Sequence, residues 1–327
     1  MSEKILITGS SGFIGRNVLR QLLQKKYEIT ALIRPRTTAA RIAEFTANVK
    51  FVEIDLADIA KLKAFLETNV FDIIIHIGAI RGGRNCSKTN FFNTNVNATE
   101  QLVLNAQHYN SAFIFCSSVG VFGAIPLELP ANNSTKRQPD NYYHFTKIRA
   151  ESIIQKHVLY GLKAAIIRPA ITYGIGDFGF PHTLIKLIDK KLLYLPDTDV
   201  RIHLTDVDLL SQAFLKLTES DFTPGVAYNV ADKEPVELHE LANFISKELR
   251  GQPYPGKKNI DKKYFRRGEK ISRFFHNELW TARFELISKS WYYDTIEAYN
   301  DLLLKSIETI PNFKAVTDWY KQSKIKK

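Results

Sequence analysis

Tyr143 and Lys147 are the two side chains of this sequence with the clearest capacity for chemistry. They stand four residues apart in a segment, 142–160, whose pattern predicts an amphipathic helix, so both would lie on one face of it. A free tyrosine has a pKa of about 10 and is a poor base at neutral pH. The lysine charge would favour the phenolate and lower this pKa. The pair therefore predicts proton transfer to or from a hydroxyl or carbonyl oxygen, unless the spacing is a chance feature of the helix.

A glycine-rich turn near the amino terminus is the second candidate for chemistry. It has the spacing G-x-x-G-x-x-G, follows a predicted strand at 4–8 and precedes apolar residues at helical intervals. Backbone N–H groups at such a turn can approach a pyrophosphate, because no side chains intervene and the helix N-terminus is partly positive. The turn therefore predicts a dinucleotide site. The predicted contacts are Gly9, Ser11, Gly12, Phe13, Ile14 and Gly15.

Strand and helix patterns alternate through the first two-thirds of the chain. The predicted strands lie at 4–8, 28–33, 49–54, 72–77, 112–117, 163–168 and 226–230. They are rich in Val and Ile without polar alternation, which is typical of strands buried on both faces of a parallel sheet. The alternation predicts an α/β fold with a Rossmann-type, doubly wound parallel sheet.

The last third of the chain has a different pattern. From about residue 175, aromatic, proline and basic residues increase, and helices are predicted at 237–250, 293–307 and 315–323. We expect an NAD(P)-binding domain formed by 1–175 together with 202–232. We expect a smaller, mainly helical C-terminal lobe, formed by 176–201 and 233–327, to bind the substrate.

Composition excludes several classes of protein. The chain has 327 residues, 45% hydrophobic and 24% charged, as is typical of soluble globular proteins. Its longest apolar runs, such as 71–80, are too short to span a bilayer. The first strand leaves no room for a signal peptide, so we expect a cytoplasmic protein without a membrane partner. The two cysteines, Cys86 and Cys116, form neither a disulfide framework nor a metal-ligand spacing, and no metal is expected.

Positive charge is concentrated late in the chain. The net charge is +11, and residues 256–273 contain eight Lys or Arg against two acids. This stretch is either a solvated basic loop or a site for a phosphate-bearing substrate. Nucleic-acid binding is a weaker third hypothesis, because no recognisable binding motif accompanies the charge.

Further motifs, in order over about residues 4–245, resemble the extended short-chain dehydrogenase/reductase superfamily and its NAD-dependent epimerase/dehydratase family. They are the glycine turn, Asp55-Leu56, His76-Ile77-Gly78-Ala79, Asn95-Val96, Ser117-Ser118, Tyr143-x-x-x-Lys147, Arg168-Pro169 with Tyr173-Gly174, His203 to Val207, and Asn229-Val230. The resemblance implies Tyr143 as catalytic acid/base, Lys147 as its activator and a ligand of the nicotinamide ribose, and Ser118 as the hydroxyl that orients the reacting oxygen. It also implies a homodimer, formed through the helices predicted at 93–109 and 142–160.

The resemblance implies cofactor contacts from several strand ends as well. These are Asp55, Leu56, Gly78, Ala79, Asn95 and Ser117, besides Tyr143 and Lys147. Ser117 could replace Ser118 in orienting the substrate. Asn95 could be a buried structural asparagine, and His76 is more simply a core histidine. Tyr142 has no lysine four residues later and is expected to pack or to line the pocket.

The end of the second predicted strand bears on the choice of cofactor. NAD sites usually have an acid here for the ribose 2′-hydroxyl, whereas this sequence reads Leu-Ile-Arg-Pro-Arg at 32–36. Arg34 could pair with a 2′-phosphate in two hydrogen bonds. We therefore expect NADP or NAD, with a preference for NADP. The alternative is that Arg34 stacks on adenine or faces solvent while NAD is bound.

The resemblance implies hydride transfer at a secondary alcohol or ketone of a small molecule that could carry phosphate. The family's 4,6-dehydratases place Asp-Glu where this sequence has Val119-Gly120, which weakens the hypothesis of a dehydratase. In addition, Phe122 replaces the family's usual tyrosine. Three arginines are candidate anion ligands, namely Arg201, Arg266 and Arg267. A ketoreductase, a sugar-nucleotide epimerase with tightly held NAD, and a non-catalytic nucleotide-binding or assembly protein stay open as alternatives.

Overall fold

A seven-stranded, fully parallel sheet forms the centre of the protein in the computed structural model, which describes residues 2–81 and 86–325, without the side chains of Lys257, Glu278, Leu279 and Ile325. Across the sheet the strands are Ala227–Val230, Ala164–Pro169, Ala112–Cys116, Ile73–His76, Lys4–Thr8, Glu28–Ile33 and Val49–Glu53. Every predicted strand is present within one residue at each end. The predicted doubly wound sheet is confirmed.

Helices follow most of the strands. They are Phe13–Leu22, Ile59–Glu67, Lys88–Phe92, Ala98–His108, Tyr142–Val158, Phe180–Asp189, Val207–Glu219, Leu238–Arg250, Lys262–Phe274, Glu278–Ser288, Ile296–Asp301 and Thr309–Ile325. A π-helical segment, Asn93–Asn97, precedes Ala98, and short 3₁₀ turns lie at Ala39–Arg41, Ala43–Phe45, Val119–Phe122 and Gly256–Lys258. Short strands lie at Ile171–Tyr173, Leu195–Pro196, Arg201–Ile202, Leu204–Asp206, Val236–Glu237 and Asn259–Ile260.

Two late helices differ from their prediction. The helix expected over 293–307 covers only Ile296–Asp301, and the chain turns away at Leu303, which has a positive φ of 48°. The last helix begins at Thr309 rather than 315, because Pro311 lies in its first turn, where proline costs no hydrogen bond. The basic stretch 256–273, expected as a loop, is mostly the helix Lys262–Phe274.

The hydrophobic core has three parts. Ile5 and Ile7 point to one face of the sheet, under helices Phe13–Leu22 and Val207–Glu219, while Leu6 points to the other face. The third part joins helices Phe180–Asp189, Leu238–Arg250 and Thr309–Ile325 around side chains such as Trp291 and Phe313. The division of the chain into two domains stays a prediction.

The topology determines where a ligand can bind. Strand order reverses between Lys4–Thr8 and Ile73–His76, and open parallel sheets bind ligands beyond the carboxyl ends of strands at such a point. Over residues 2–81 and 86–325, no helix is long and apolar enough to cross a membrane. The same residues contain no cluster of three or more His, Cys, Asp or Glu side chains that could hold a metal ion.

Candidate active site

A cleft of about 1040 Å³ opens at the carboxyl ends of the central strands. It extends from the glycine turn and Arg34 to Trp291 and Tyr293. Ligand pockets commonly measure roughly 300–1,000 Å³. The cleft is therefore large enough for a dinucleotide and a second molecule together.

The glycine turn has the geometry that a pyrophosphate requires. Gly9 has a φ of +73°, and a Cβ there would lie 2.6 Å from the Gly78 nitrogen. A Cβ on Gly15 would lie 2.2 Å from the Gly9 carbonyl oxygen, so the helix can start close to the strand only with glycine. Gly12 caps helix Phe13–Leu22 without a side-chain hydrogen bond from any described residue, so the first N–H groups face the cleft. These residues fit a dinucleotide.

Tyr143 lies in the middle of the cleft, in the first turn of helix Tyr142–Val158. Burial raises the pKa of its hydroxyl, while the charge of Arg81 and the hydrogen bond with Ser118 lower it. The net shift of this pKa is upward, opposite to the lowering expected from the sequence, and the role of Lys147 as activator stays a prediction. Residue spacing gives the direction of a side chain but not the cost of removing its charge from water.

Lys147 reaches the cleft from one helical turn further on. Its Nζ donates to the Cys116 carbonyl oxygen at 2.6 Å and lies 5.9 Å from the centre of the Tyr143 ring. Burial lowers the pKa of Lys147 to about 8, and the charge of Glu151 opposes this shift. The ammonium form therefore still predominates at neutral pH, close to the tyrosine.

Ser117 and Ser118 have different partners. Ser117 Oγ donates to Glu151 Oε1 at 2.6 Å, so its hydroxyl is already engaged. Ser118 Oγ accepts from the Gly120 N–H at 3.0 Å and also interacts with the Tyr143 hydroxyl. Of the two serines left open by the sequence, Ser118 is the one beside the tyrosine.

Most predicted cofactor contacts line the cleft, and one does not. The lining includes Gly9, Ser11, Gly12, Phe13, Ile14, Gly15, Arg34, Asp55, Leu56, Gly78, Ala79, Ser117, Tyr143 and Lys147. Asn95 is buried outside the lining. Its side chain bonds both backbone groups of Ile80 at 2.8 Å and donates to Thr146 Oγ1 at 3.0 Å. These bonds hold the segment after the fourth strand, as the structural alternative predicts, and a contact of Asn95 with the cofactor stays a prediction.

His76 is a core histidine, as the simpler explanation held. It is 1% exposed and hydrogen-bonds with Thr8 Oγ1 at 2.6 Å and with Thr99 Oγ1 at 3.0 Å. Burial lowers the pKa of His76 to about 3, so the ring is neutral at physiological pH.

The arginines predicted to bind the substrate lie elsewhere. Arg201 is exposed on a short strand, and Arg266 and Arg267 are exposed on helix Lys262–Phe274; none of them lines the cleft. A local excess of charge does not indicate the direction in which the side chains point, and an anion site at these arginines stays a prediction. Two other arginines, Arg41 and Arg81, line the cleft instead.

His144 is a cleft residue to which the sequence argument gave no role. Its Nδ1 is hydrogen-bonded to Asp140, and its Nε2 fills the space above Gly120, where a Cβ would meet it at 2.3 Å. Within the described part of the chain, no group hydrogen-bonds with Nε2. No sequence signal connects the two, since Gly120 and His144 are far apart in the chain and only the fold brings them together.

Asp177 is a second cleft residue that the sequence argument missed. Its Oδ1 accepts from the Gly179 N–H at 3.0 Å. Its Oδ2 is buried and has no partner among residues 2–81 and 86–325. Burial raises the pKa of Asp177, and the charge of Arg81 opposes the shift. This oxygen can accept a hydrogen bond from a ligand at the substrate end of the cleft.

Comparison with known proteins agrees with this geometry. The model of the NAD dependent epimerase/dehydratase family matches residues 5–231. The chain belongs to that family. The family resemblance is confirmed, and an NAD(P)-dependent oxidoreductase or epimerase is confirmed at the level of the family.

Proteins similar to this chain differ in the reaction that their names give. GDP-6-deoxy-D-talose 4-dehydrogenase of Aggregatibacter actinomycetemcomitans is 28% identical over 242 residues, 69% of this chain and 76% of that protein. UDP-glucose 4-epimerase 2 of Oryza sativa subsp. japonica is 27% identical over 281 residues, 74% of this chain and 69% of that protein. The structure of UDP-glucuronic acid 4-epimerase from Bacillus cereus in complex with NAD is 22% identical, with a TM-score of 0.75 over 98% of this chain and 99% of that one.

Proposed function

We propose that the protein transfers a hydride between NADP or NAD and a secondary-alcohol carbon of a sugar nucleotide, with Tyr143 as the acid/base. The observation that carries this proposal is the convergence of Tyr143, Ser118 and Lys147 in the middle of one cleft. The glycine turn lies on one side of them, and the wall with Trp291 lies on the other. The curated relatives named above act on nucleotide-linked sugars, which supports the substrate class.

In this mechanism, side chains of the protein transfer the proton. The glycine turn would hold the pyrophosphate, and Lys147 would hold the ribose next to the nicotinamide. When bound, the nicotinamide accepts or returns the hydride and, in its oxidised form, adds positive charge beside the phenol. As the phenolate, Tyr143 takes the proton of the substrate hydroxyl on oxidation, and as the phenol it returns a proton on reduction; Ser118 donates a hydrogen bond that keeps the reacting oxygen beside it. Arg81 favours the phenolate electrostatically.

We propose NADP as the preferred cofactor. Arg34 and Arg41 both line the end of the cleft beyond the second strand, and each is solvent-exposed there. Two guanidinium groups can pair with the extra 2′-phosphate, which NAD lacks. The Bacillus cereus epimerase structure contains NAD, which describes the cofactor of that protein only.

Arg34→Ala should weaken NADPH binding about tenfold or more and change NADH binding less than about twofold, because charge-assisted hydrogen bonds to the phosphate are lost. Fluorescence titration with each nucleotide measures both dissociation constants. Arg36→Ala is the matched control, since Arg36 is exposed in the same turn and does not line the cleft. An equal loss for both nucleotides would mean that Arg34 contacts a part common to NAD and NADP.

His144 supports a second candidate function on the same substrates. Once a hydroxyl has been oxidised to a ketone, a hydrogen on the neighbouring carbon becomes acidic. With Asp140 on Nδ1, the free Nε2 of His144 can remove that proton and return it. This would exchange that hydrogen with solvent, and it would epimerise the neighbouring carbon where the proton returns to the opposite face; dehydration has no acid here for the leaving hydroxyl, since Val119-Gly120 supply none.

If this second function holds, the product formed in D₂O carries deuterium on that carbon, and His144→Phe removes the label while hydride transfer continues. Mass spectrometry of the product and cofactor absorbance measure the two steps separately. His239→Phe, outside the cleft, should change neither. A wild-type product without deuterium would rule out the second candidate.

The remaining expectations are proposals as well. We propose a homodimer formed through helices Ala98–His108 and Tyr142–Val158, on which the large apolar side chains of Leu104 and Phe145 are exposed. We also propose a cytoplasmic location. A non-catalytic binding or assembly role is disfavoured because Tyr143, Lys147 and Ser118 are all present in the cleft.

A further inference from the structure

Helices Lys262–Phe274 and Glu278–Ser288 form an antiparallel pair whose tip carries a cluster of exposed aromatic side chains. Phe274 is 76% exposed, Phe275 71% and Trp280 49%. Tyr264 and Ile271 are also largely exposed, and they lie on the same side of the first helix as Phe275. Contiguous exposed apolar groups of this kind usually mark an interaction site.

The exposed side chains are not an unfilled part of the core. Phe265 and Ser272 form the buried side of the first helix, and Thr281 Oγ1 donates to Ser272 Oγ at 2.9 Å across the pair. A Cβ on Gly268 would lie 2.6 Å from the Phe284 ring, so the two helices are already in close contact. These contacts between the two helices do not involve Phe274, Phe275 or Trp280.

Positive charge flanks the aromatic cluster. Glu269 and Glu285 are held by Arg273 and Lys289, at distances of 2.8–3.1 Å. Lys262, Arg266, Arg267 and Lys270 have no ion-pair partner within the described parts of the chain. The outward surface of the first helix is therefore strongly cationic, next to the apolar side chains.

We propose that this helix pair docks on the surface of an anionic lipid bilayer. Aromatic side chains at the tip would enter the boundary between headgroups and acyl chains, and the flanking cations would contact lipid phosphates. A nucleic acid would use the cations, but it gives no reason for exposing Ile271 and Phe275 together. No described helix could span the membrane, so the association is peripheral and differs from the sequence expectation of no membrane partner.

Docking of the helix pair would also affect the cleft, because the second helix forms part of its wall. Ala282 and Leu286, on the second helix, line the substrate end of the cleft. A protein docked through the tip would therefore hold that end of the cleft near the lipid surface.

Vesicle flotation of the full-length chain tests the proposal. The wild type should bind vesicles of equal phosphatidylglycerol and phosphatidylcholine, release at high salt, and bind pure phosphatidylcholine at least about tenfold more weakly. Phe274→Ser with Phe275→Ser, and separately Arg267→Glu with Lys270→Glu, should each reduce binding about tenfold or more. Nucleotide binding by these variants should be unchanged, which also shows that they are folded.

Matched controls alter the same chemistry elsewhere on the surface. Lys50→Glu with Lys61→Glu makes the same change in charge, and Leu159→Ser with Tyr160→Ser removes apolar groups that are just as exposed. Equal losses in the controls, or no preference of the wild type for anionic vesicles, would overturn the proposal. Tighter binding to a duplex RNA or DNA oligomer than to the vesicles, lost in the Arg267/Lys270 variant, would assign the surface to nucleic acid instead.

Discussion

Tyr143→Phe is expected to lower kcat by about 10² to 10⁴, the usual contribution of a general acid/base, while nucleotide binding and stability stay close to those of the wild type. The substitution removes one hydroxyl from the centre of the cleft and leaves the ring in place. Without the hydroxyl, nothing at that point exchanges a proton with the substrate oxygen, and Ser118 only orients it. The effect should fall on kcat rather than on KM, because proton transfer is a property of the transition state.

Turnover is measured with UDP-, GDP- and dTDP-linked hexoses in the presence of NADP or NAD. Tyr142→Phe is the matched control, since Tyr142 is the neighbouring tyrosine, meets Phe91 edge-on and stacks on Phe145. It should retain nearly full activity. A Tyr143→Phe variant that converts any of these substrates at the wild-type rate would show that another group is the acid/base.

Glu151→Ala should destabilise the fold by about 3–5 kcal/mol, because it leaves a buried guanidinium without its partner. Arg168 is 2% exposed and holds Glu151 through two hydrogen bonds of 2.7 Å. Ser117 donates to the same carboxylate, and Asn133 accepts from Arg168 at 2.7 Å. The carboxylate therefore fixes the helix of Tyr143 and Lys147 to two strand ends of the sheet.

Urea unfolding at neutral pH measures this loss. Glu67→Ala is the control, because Glu67 forms an exposed ion pair with Lys63 at 3.9 Å and its removal should cost no more than about 0.5 kcal/mol. Similar free energies of unfolding for the two variants would mean that the buried pair is not what anchors the catalytic helix.

The strands of the sheet could be predicted closely because the residues that determine each strand are adjacent in the sequence. Each strand is a short, mostly apolar run, and the runs in the middle of the sheet are buried on both faces, whereas the edge strand Val49–Glu53 is partly exposed. Helix ends were less predictable, since Pro311 lies in the first turn of one helix and the positive φ of Leu303 follows the end of another. Those choices depend on tertiary packing.

The same contrast applies to the site. The glycine turn and the Tyr143–Lys147 pair lie in continuous segments, and their spacing alone places them. Arg41, Asp177 and Trp291 reach the cleft from separate loops, which no spacing in the chain relates to one another. Arg201 and Arg267 show the converse, since their charge is visible in the sequence whereas their exposed positions outside the cleft lining are not.

The most direct test of the account is the nucleotide content of the protein. Freshly purified chain is denatured, any released nucleotide is identified by chromatography, and nucleotide-free protein is titrated with NADPH and NADH. The account predicts an empty or partly filled protein that binds NADPH more tightly than NADH at micromolar concentrations. Stoichiometric NAD would contradict the NADP preference and favour a redox-neutral epimerase. A protein that releases no dinucleotide and binds neither form would contradict the central claim that this cleft is a nicotinamide site.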